Sequence, residues 1–212
     1  MTLFAVWFTW VGANVVPSLL VSALLLVAAD SLGVNRSVVL AYVVLFGLVA
    51  VLQARVWVRW RGARSDGNGP TWSGWAGWTI VALVIAMFFG VGIVATLDGL
   101  GHEHIGLIVG WAVAGGVVGG VQAMALGVSR SWVSWWVAAS VAGWIIPAVV
   151  YSTAAAALDS IGRFAAVRWL VGGLAVDGNI ELAITAMTFA VYGMLTGIVL
   201  ARLAVRPAAS PR

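Results

Sequence analysis

The most constraining feature of this chain is where its charges are missing. No Asp, Glu, Lys or Arg occurs in the runs 1–29, 37–54, 67–97, 105–129, 131–158 and 182–201. A bilayer-spanning helix needs about 20 mostly apolar residues. Six runs near or above that length predict six spanning helices. Composition agrees: the 212 residues are 63% hydrophobic and only 8% charged. A water-facing exterior needs more polar groups than that, whereas a lipid-facing one does not. The expected fold class is all-α, a polytopic membrane bundle of six transmembrane helices.

The few charges predict orientation. If the helices alternate, Arg55, Arg59, Arg61, Arg64, Arg130, Arg202, Arg206 and Arg212 fall on one side, leaving Arg36, Arg163 and Arg168 opposite. The acids Asp30, Asp98, Glu103, Asp159, Asp177 and Glu181 lie with the smaller set, and only Asp66 lies with the larger. Counting basic residues places both termini in the cytoplasm, with the chain multi-pass in the plasma membrane. The net charge of +4 then reports topology, and a nucleic-acid partner is not expected. Residues 1–10 carry no basic residue, which argues against a cleaved signal peptide.

An internal repeat refines the architecture. "DSLG" at 30–33, "DGLG" at 98–101 and "DSIG" at 159–162 each close an odd-numbered helix. Counting back 23 residues from each aspartate gives Trp7, Trp75 and Trp136; counting back 20 gives Trp10, Trp78 and Ala139. Twenty-three helical residues rise about 35 Å, close to one membrane thickness. In the even helices Gly47 precedes Gln53 by six residues and Gly116 precedes Gln122 by six, while Gly193 precedes Val199. Arg59, Arg130 and Arg206 follow. The chain therefore reads as one transmembrane domain, 1–206, of three tandem helical hairpins at about 1–67, 68–131 and 132–206. An insertion near 163–179 reads as an interfacial helix or outer loop, and 207–212 as a flexible tail.

These glycine–glutamine–arginine hairpins resemble those of a loose group of small bacterial multi-spanning membrane proteins. The resemblance covers most of the chain and implies a fold and a membrane location, with no biochemical activity attached.

Candidate chemistry is sparse. No cysteine and no lysine occur, so thiolate and Schiff-base chemistry are excluded. The only two histidines sit in "DGLGHEH" at 98–104. His102 and His104 are candidate metal ligands, with Glu103 and Asp98 nearby, but the H-E-x-x-H spacing of a catalytic zinc site is not met. The competing reading is a turn with two solvated histidines. Histidines at the surface cannot ligate an intramembrane haem, no nucleophile motif occurs, and no cofactor is identified. Gln53, Gln122, Asn14 and Trp144 form a candidate polar cavity; interhelical hydrogen bonding is the competing account. Arg55, Arg59, Arg61, Arg64, Trp75, Trp78, Trp132 and Trp136 form a candidate lipid interface at the cytoplasmic level, where anionic headgroups fit. Helix 4 is dense in glycine, with Gly106/Gly110, Gly115/Gly119 and Gly116/Gly120 at G-x-x-x-G spacing. It is expected to be central, and Gly120→Leu to disrupt the fold.

These features point to a non-catalytic membrane protein, an accessory subunit or a binder of lipid or another apolar molecule. The alternatives are a facilitator or substrate-binding subunit for a neutral small solute, and a metal-dependent enzyme on the outer face. The bilayer, anionic lipid, and a membrane protein or second copy of the chain are the expected partners.

Overall fold

The computed structural model describes residues 2–32, 34–62, 72–126, 129–161 and 179–205. All the regular structure there is helical: α1 (Leu3–Leu32), α2 (Val34–Gly62), α3 (Trp72–Gly99), α4 (Glu103–Leu126), α5 (Arg130–Ile161) and α6 (Asn179–Val205). Among the described residues, four stretches are long and apolar enough to cross a bilayer: Leu3–Val21, Ser73–Gly99, His104–Leu126 and Arg130–Thr153. Met187–Leu203 is a shorter apolar helix. The sequence positions 163–178, 206–212 and the α2–α3 linker at 63–71 lie outside the described residues, and with them the insertion, the tail and Arg64.

Each helix packs on its neighbours in sequence, and α6 returns to pack on α1, so the six close into a ring. Glycine makes most of these seams tight. A Cβ on Gly110 would lie 2.6 Å from the Gly90 oxygen, and one on Gly106 2.9 Å from the Leu97 Cβ, so α3 and α4 meet backbone to backbone. Gly115 and Gly119 do the same for α4 against Ser140 of α5, Gly143 for α5 against Tyr192 of α6, and Gly193 for α6 against Asn14 of α1. Small residues permit such approach, and in lipid the resulting dispersion contacts replace the hydrophobic effect as the force between helices. α4 is thus glycine-faced on two sides, toward α3 and toward α5. Gly120 is not among these contacts: a Cβ there meets nothing within 4 Å. The disruptive glycine positions on α4 are Gly106, Gly110, Gly115 and Gly119.

The exterior is apolar and the interior carries polar groups. Phe4, Phe8, Phe88, Phe89 and Met124 are exposed, while Asn14, Gln53, Gln122, Thr79, Ser140 and Thr196 are buried. Exposed threonines are satisfied within their own helices: Thr9 donates to the Ala5 carbonyl, Thr96 to Gly92 and Thr153 to Val149, each at 2.7 Å. Such back-bonding leaves these three hydroxyls with no need of water.

The α3–α4 turn explains the repeated tetrad. The Gly101 N–H donates to the Asp98 carbonyl and the His102 N–H to the Leu97 carbonyl, both at 2.8 Å. Gly101 has φ +78°, the left-handed conformation that this paired 5→2 and 6→1 cap requires. Asp98 serves the turn through its backbone carbonyl. The corresponding Gly33 and Gly162 lie outside the described residues.

Candidate functional site

Along each odd helix a tryptophan is followed four residues later by a small polar side chain: Trp10 and Asn14, Trp75 and Thr79, Trp136 and Ser140. Four residues is about one helical turn, so both members of each pair share a face. All six side chains are buried. The inward tryptophan of the first helix is therefore Trp10. Trp7, which the 23-residue spacing groups with Trp75 and Trp136, is half-buried and donates its indole N–H to the Met194 carbonyl at 3.2 Å. The spacing to the closing aspartate is thus about one turn shorter in α1 than in α3 and α5.

The tryptophans form a layer. Trp75 and Trp136 both stand edge-on to Trp10, at centroid separations of 6.1 Å and 5.8 Å, and Trp57 of α2 stacks on Trp75 at 5.2 Å. Edge-to-face and offset-stacked rings at these distances are the arrangements that aromatic quadrupoles favour. Trp75 and Trp136 are 0% exposed, which removes them from the headgroup interface expected of them. Among the described residues, Trp78 at 56% and Trp135 at 65% are the tryptophans that face outward, and Trp132 is half-buried. Position along a helix fixes the depth of a tryptophan; only its face decides between lipid and core. Arg55 and Arg59 are exposed, as are Arg130 and Arg202, and all four stand at the end where α2, α4 and α6 finish or α5 begins. The side chain of Arg61 lies outside the described residues.

Next to the tryptophan layer runs a closed chain of hydrogen bonds. The Gln53 Nε2 donates to Asn14 Oδ1 at 2.8 Å, and the Gln122 Nε2 to Gln53 Oε1 at 3.0 Å. The Tyr192 hydroxyl donates to Gln122 Oε1. Thr196 Oγ1 donates to the Tyr192 carbonyl at 2.6 Å and accepts from the Trp10 indole at 3.0 Å. The Asn14 Nδ2 donates to the Trp10 carbonyl at 2.8 Å and completes the circuit. Thr79 on α3 accepts a longer bond, 3.4 Å, from Gln122. Asn14, Gln53, Gln122 and Thr196 each accept and donate through one amide or hydroxyl, the arrangement in which successive hydrogen bonds polarise one another, whereas Trp10 and Tyr192 link the circuit through separate backbone and side-chain groups.

The circuit brings together three of the four residues of the expected cavity, Asn14, Gln53 and Gln122, and uses their amides against each other. Trp144 stands one layer further in, beside Trp111, Phe189 and Tyr192. Tyr192 and Thr196 were not singled out by sequence, because the third even helix has Val199 at the glutamine position. The Trp-x-x-x-polar spacing in α1, α3 and α5 is the signal that marks this level of the bundle.

The histidine turn offers little to a metal. His102 and His104 are exposed, and among the described residues no three His, Cys, Asp or Glu side chains come together. The Glu103 side chain lies outside the described residues. Gly90, Gly110 and Gly143 sit where backbones touch, so the residues around the circuit are held by tight seams rather than loops. No protein-family model, curated protein or solved structure matches this chain.

Proposed function

We propose that this chain is a multi-pass protein of a bacterial cytoplasmic membrane, spanning it six times as three tandem hairpins with both termini inside. In this reading it performs no catalysis and works as a lipid-binding membrane subunit. Its contact with the membrane goes beyond anchoring: the arginine-bearing end holds anionic headgroups. The observation that carries this reading is the separation of charge. Arg55, Arg59, Arg130 and Arg202 are exposed at one end, the end toward which outward-facing Trp78 and Trp135 lie along α3 and α5. The described interior holds only uncharged polar groups. Arginine near a bilayer surface contributes about 1 kcal/mol per residue with anionic lipid, and tryptophan favours the same depth.

The test is thermal unfolding in nanodiscs of phosphatidylcholine with and without phosphatidylglycerol. Phosphatidylglycerol is expected to raise the wild-type Tm and to raise it much less for Arg55→Gln/Arg59→Gln. Equal Tm values in both lipids for the wild type would rule the headgroup site out.

A further inference from the structure

The interior holds more hydrogen-bond donors than it can use. The amide oxygens of Asn14, Gln53 and Gln122 each already accept a bond. Ser18, Ser140 and Thr196 donate to carbonyls of their own helices. Among the described residues the indole N–H groups of Trp75 and Trp136, both at 0% exposure, have no acceptor, and neither has that of Trp144 in the next layer. Buried donors without a partner are rare and call for an explanation.

Their surroundings define what would complete them. Both indoles lean on the same ring, Trp10, whose own N–H is taken by Thr196. The rest of the layer is apolar, with Ala54, Ala123 and Leu126 in the same cluster. An ion would enter without a counter-charge, which burial penalises heavily. A molecule offering only donors would leave both indole N–H groups unpaired. A neutral oxygen with free lone pairs meets both requirements.

We propose that the Trp75–Trp136 layer is a binding site for a small neutral molecule presenting an oxygen acceptor. A ketone, ester or ether oxygen and an internal water share this chemistry. The site is internal and independent of the headgroup surface proposed above, so either reading survives failure of the other.

The experiment is NMR of the tryptophan indole N–H groups in the intact protein in nanodiscs. Cyclohexanone is the acceptor probe and methylcyclohexane the matched hydrocarbon. Cyclohexanone is expected to shift the Trp75 and Trp136 signals saturably. The exposed indoles of Trp78 and Trp135 should move only in proportion to partitioned ketone, and the hydrocarbon should leave Trp75 and Trp136 in place. Trp75→Phe and Trp136→Phe keep a ring and remove the donor; each should weaken cyclohexanone binding roughly two- to tenfold. If either variant fails to fold, the wild-type titration decides alone. A cross-peak from either indole proton to a long-lived water, without a ketone response, supports the acceptor site and assigns water as its occupant. Neither response, with both protons shifted upfield by a facing ring, would overturn the proposal and leave N–H···π contacts to Trp10 in its place.

Discussion

Tyr192 and Thr196 join α6 to the interior circuit, Tyr192 toward α4 and Thr196 toward α1. The Tyr192 hydroxyl donates to Gln122, and its backbone carbonyl accepts from Thr196. Tyr192→Phe removes one donor and keeps the ring against Trp144. It should lower stability by about 0.5–2 kcal/mol, the range for buried hydrogen bonds within a membrane bundle, measured by reversible unfolding in mixed micelles. Wild-type stability would show that the bond contributes nothing. The glutamines were legible in the sequence because they recur six residues after a glycine. Tyr192 was not, because its helix keeps the glycine and changes the polar residue. The tryptophans were legible in depth and illegible in direction. In a soluble helix the apolar stripe marks the core. Here lipid and core are both apolar, so nothing in the pattern separates Trp75, which is buried, from Trp78, which faces out.

Among the helices, α2 is held differently from the rest. The seams from α3 around to α1 each contain a glycine against a neighbouring backbone or side chain, whereas a Cβ on Gly47 of α2 would meet nothing within 4 Å. The α2–α3 seam is also the thinnest in the ring. The Gln53 side chain, bonded to Asn14 of α1 and Gln122 of α4, ties this helix to the interior beside the apolar packing of Leu45, Phe46, Val49 and Trp57. Gln53→Ala is expected to speed amide hydrogen exchange in the middle of α2 while leaving α4 protected; equal change in both would argue against this. The glycine-faced helices respond to bulk instead. Gly143→Ala places a Cβ 2.5 Å from the Tyr192 Cα and Gly110→Ala one 2.6 Å from the Gly90 oxygen. Each should cost about 1–3 kcal/mol through overpacking. Gly120→Ala, in open space, should stay within about 0.5 kcal/mol of wild type. Unfolding of all three in one detergent gives the comparison. G-x-x-x-G spacing in the sequence marks α4 as a packing helix and cannot say which of its overlapping pairs makes contact.

For the molecule as a whole, the six helices follow the charge-free runs closely. The helix ends were legible because charges and the Asp-x-x-Gly tetrads punctuate them, and the Gly101 cap gives one tetrad its physical reason. The pairing of α6 with α1 was not legible, since neither helix carries a charge or motif that names its partner. Orientation remains a matter of arginine count, and fusions test it. Alkaline phosphatase joined after Gly101 should be active, and joined after Ser129 inactive, for a chain whose termini are cytoplasmic. The reverse pattern would invert the topology.

Ring closure also sets an order of events during synthesis. The bond from Trp10 to Thr196 joins residues 186 positions apart. At about 5–20 residues per second, Thr196 leaves the ribosome some 10–40 s after Trp10. Throughout that interval the first helix has its Trp10 indole without the acceptor it will finally use, and Asn14 waits beside it for Gln53. The earliest segment made is thus the last to be sealed. A nascent chain halted before α6 would present that open flank to whatever insertion machinery receives it, a state that site-specific crosslinking from position 10 can capture.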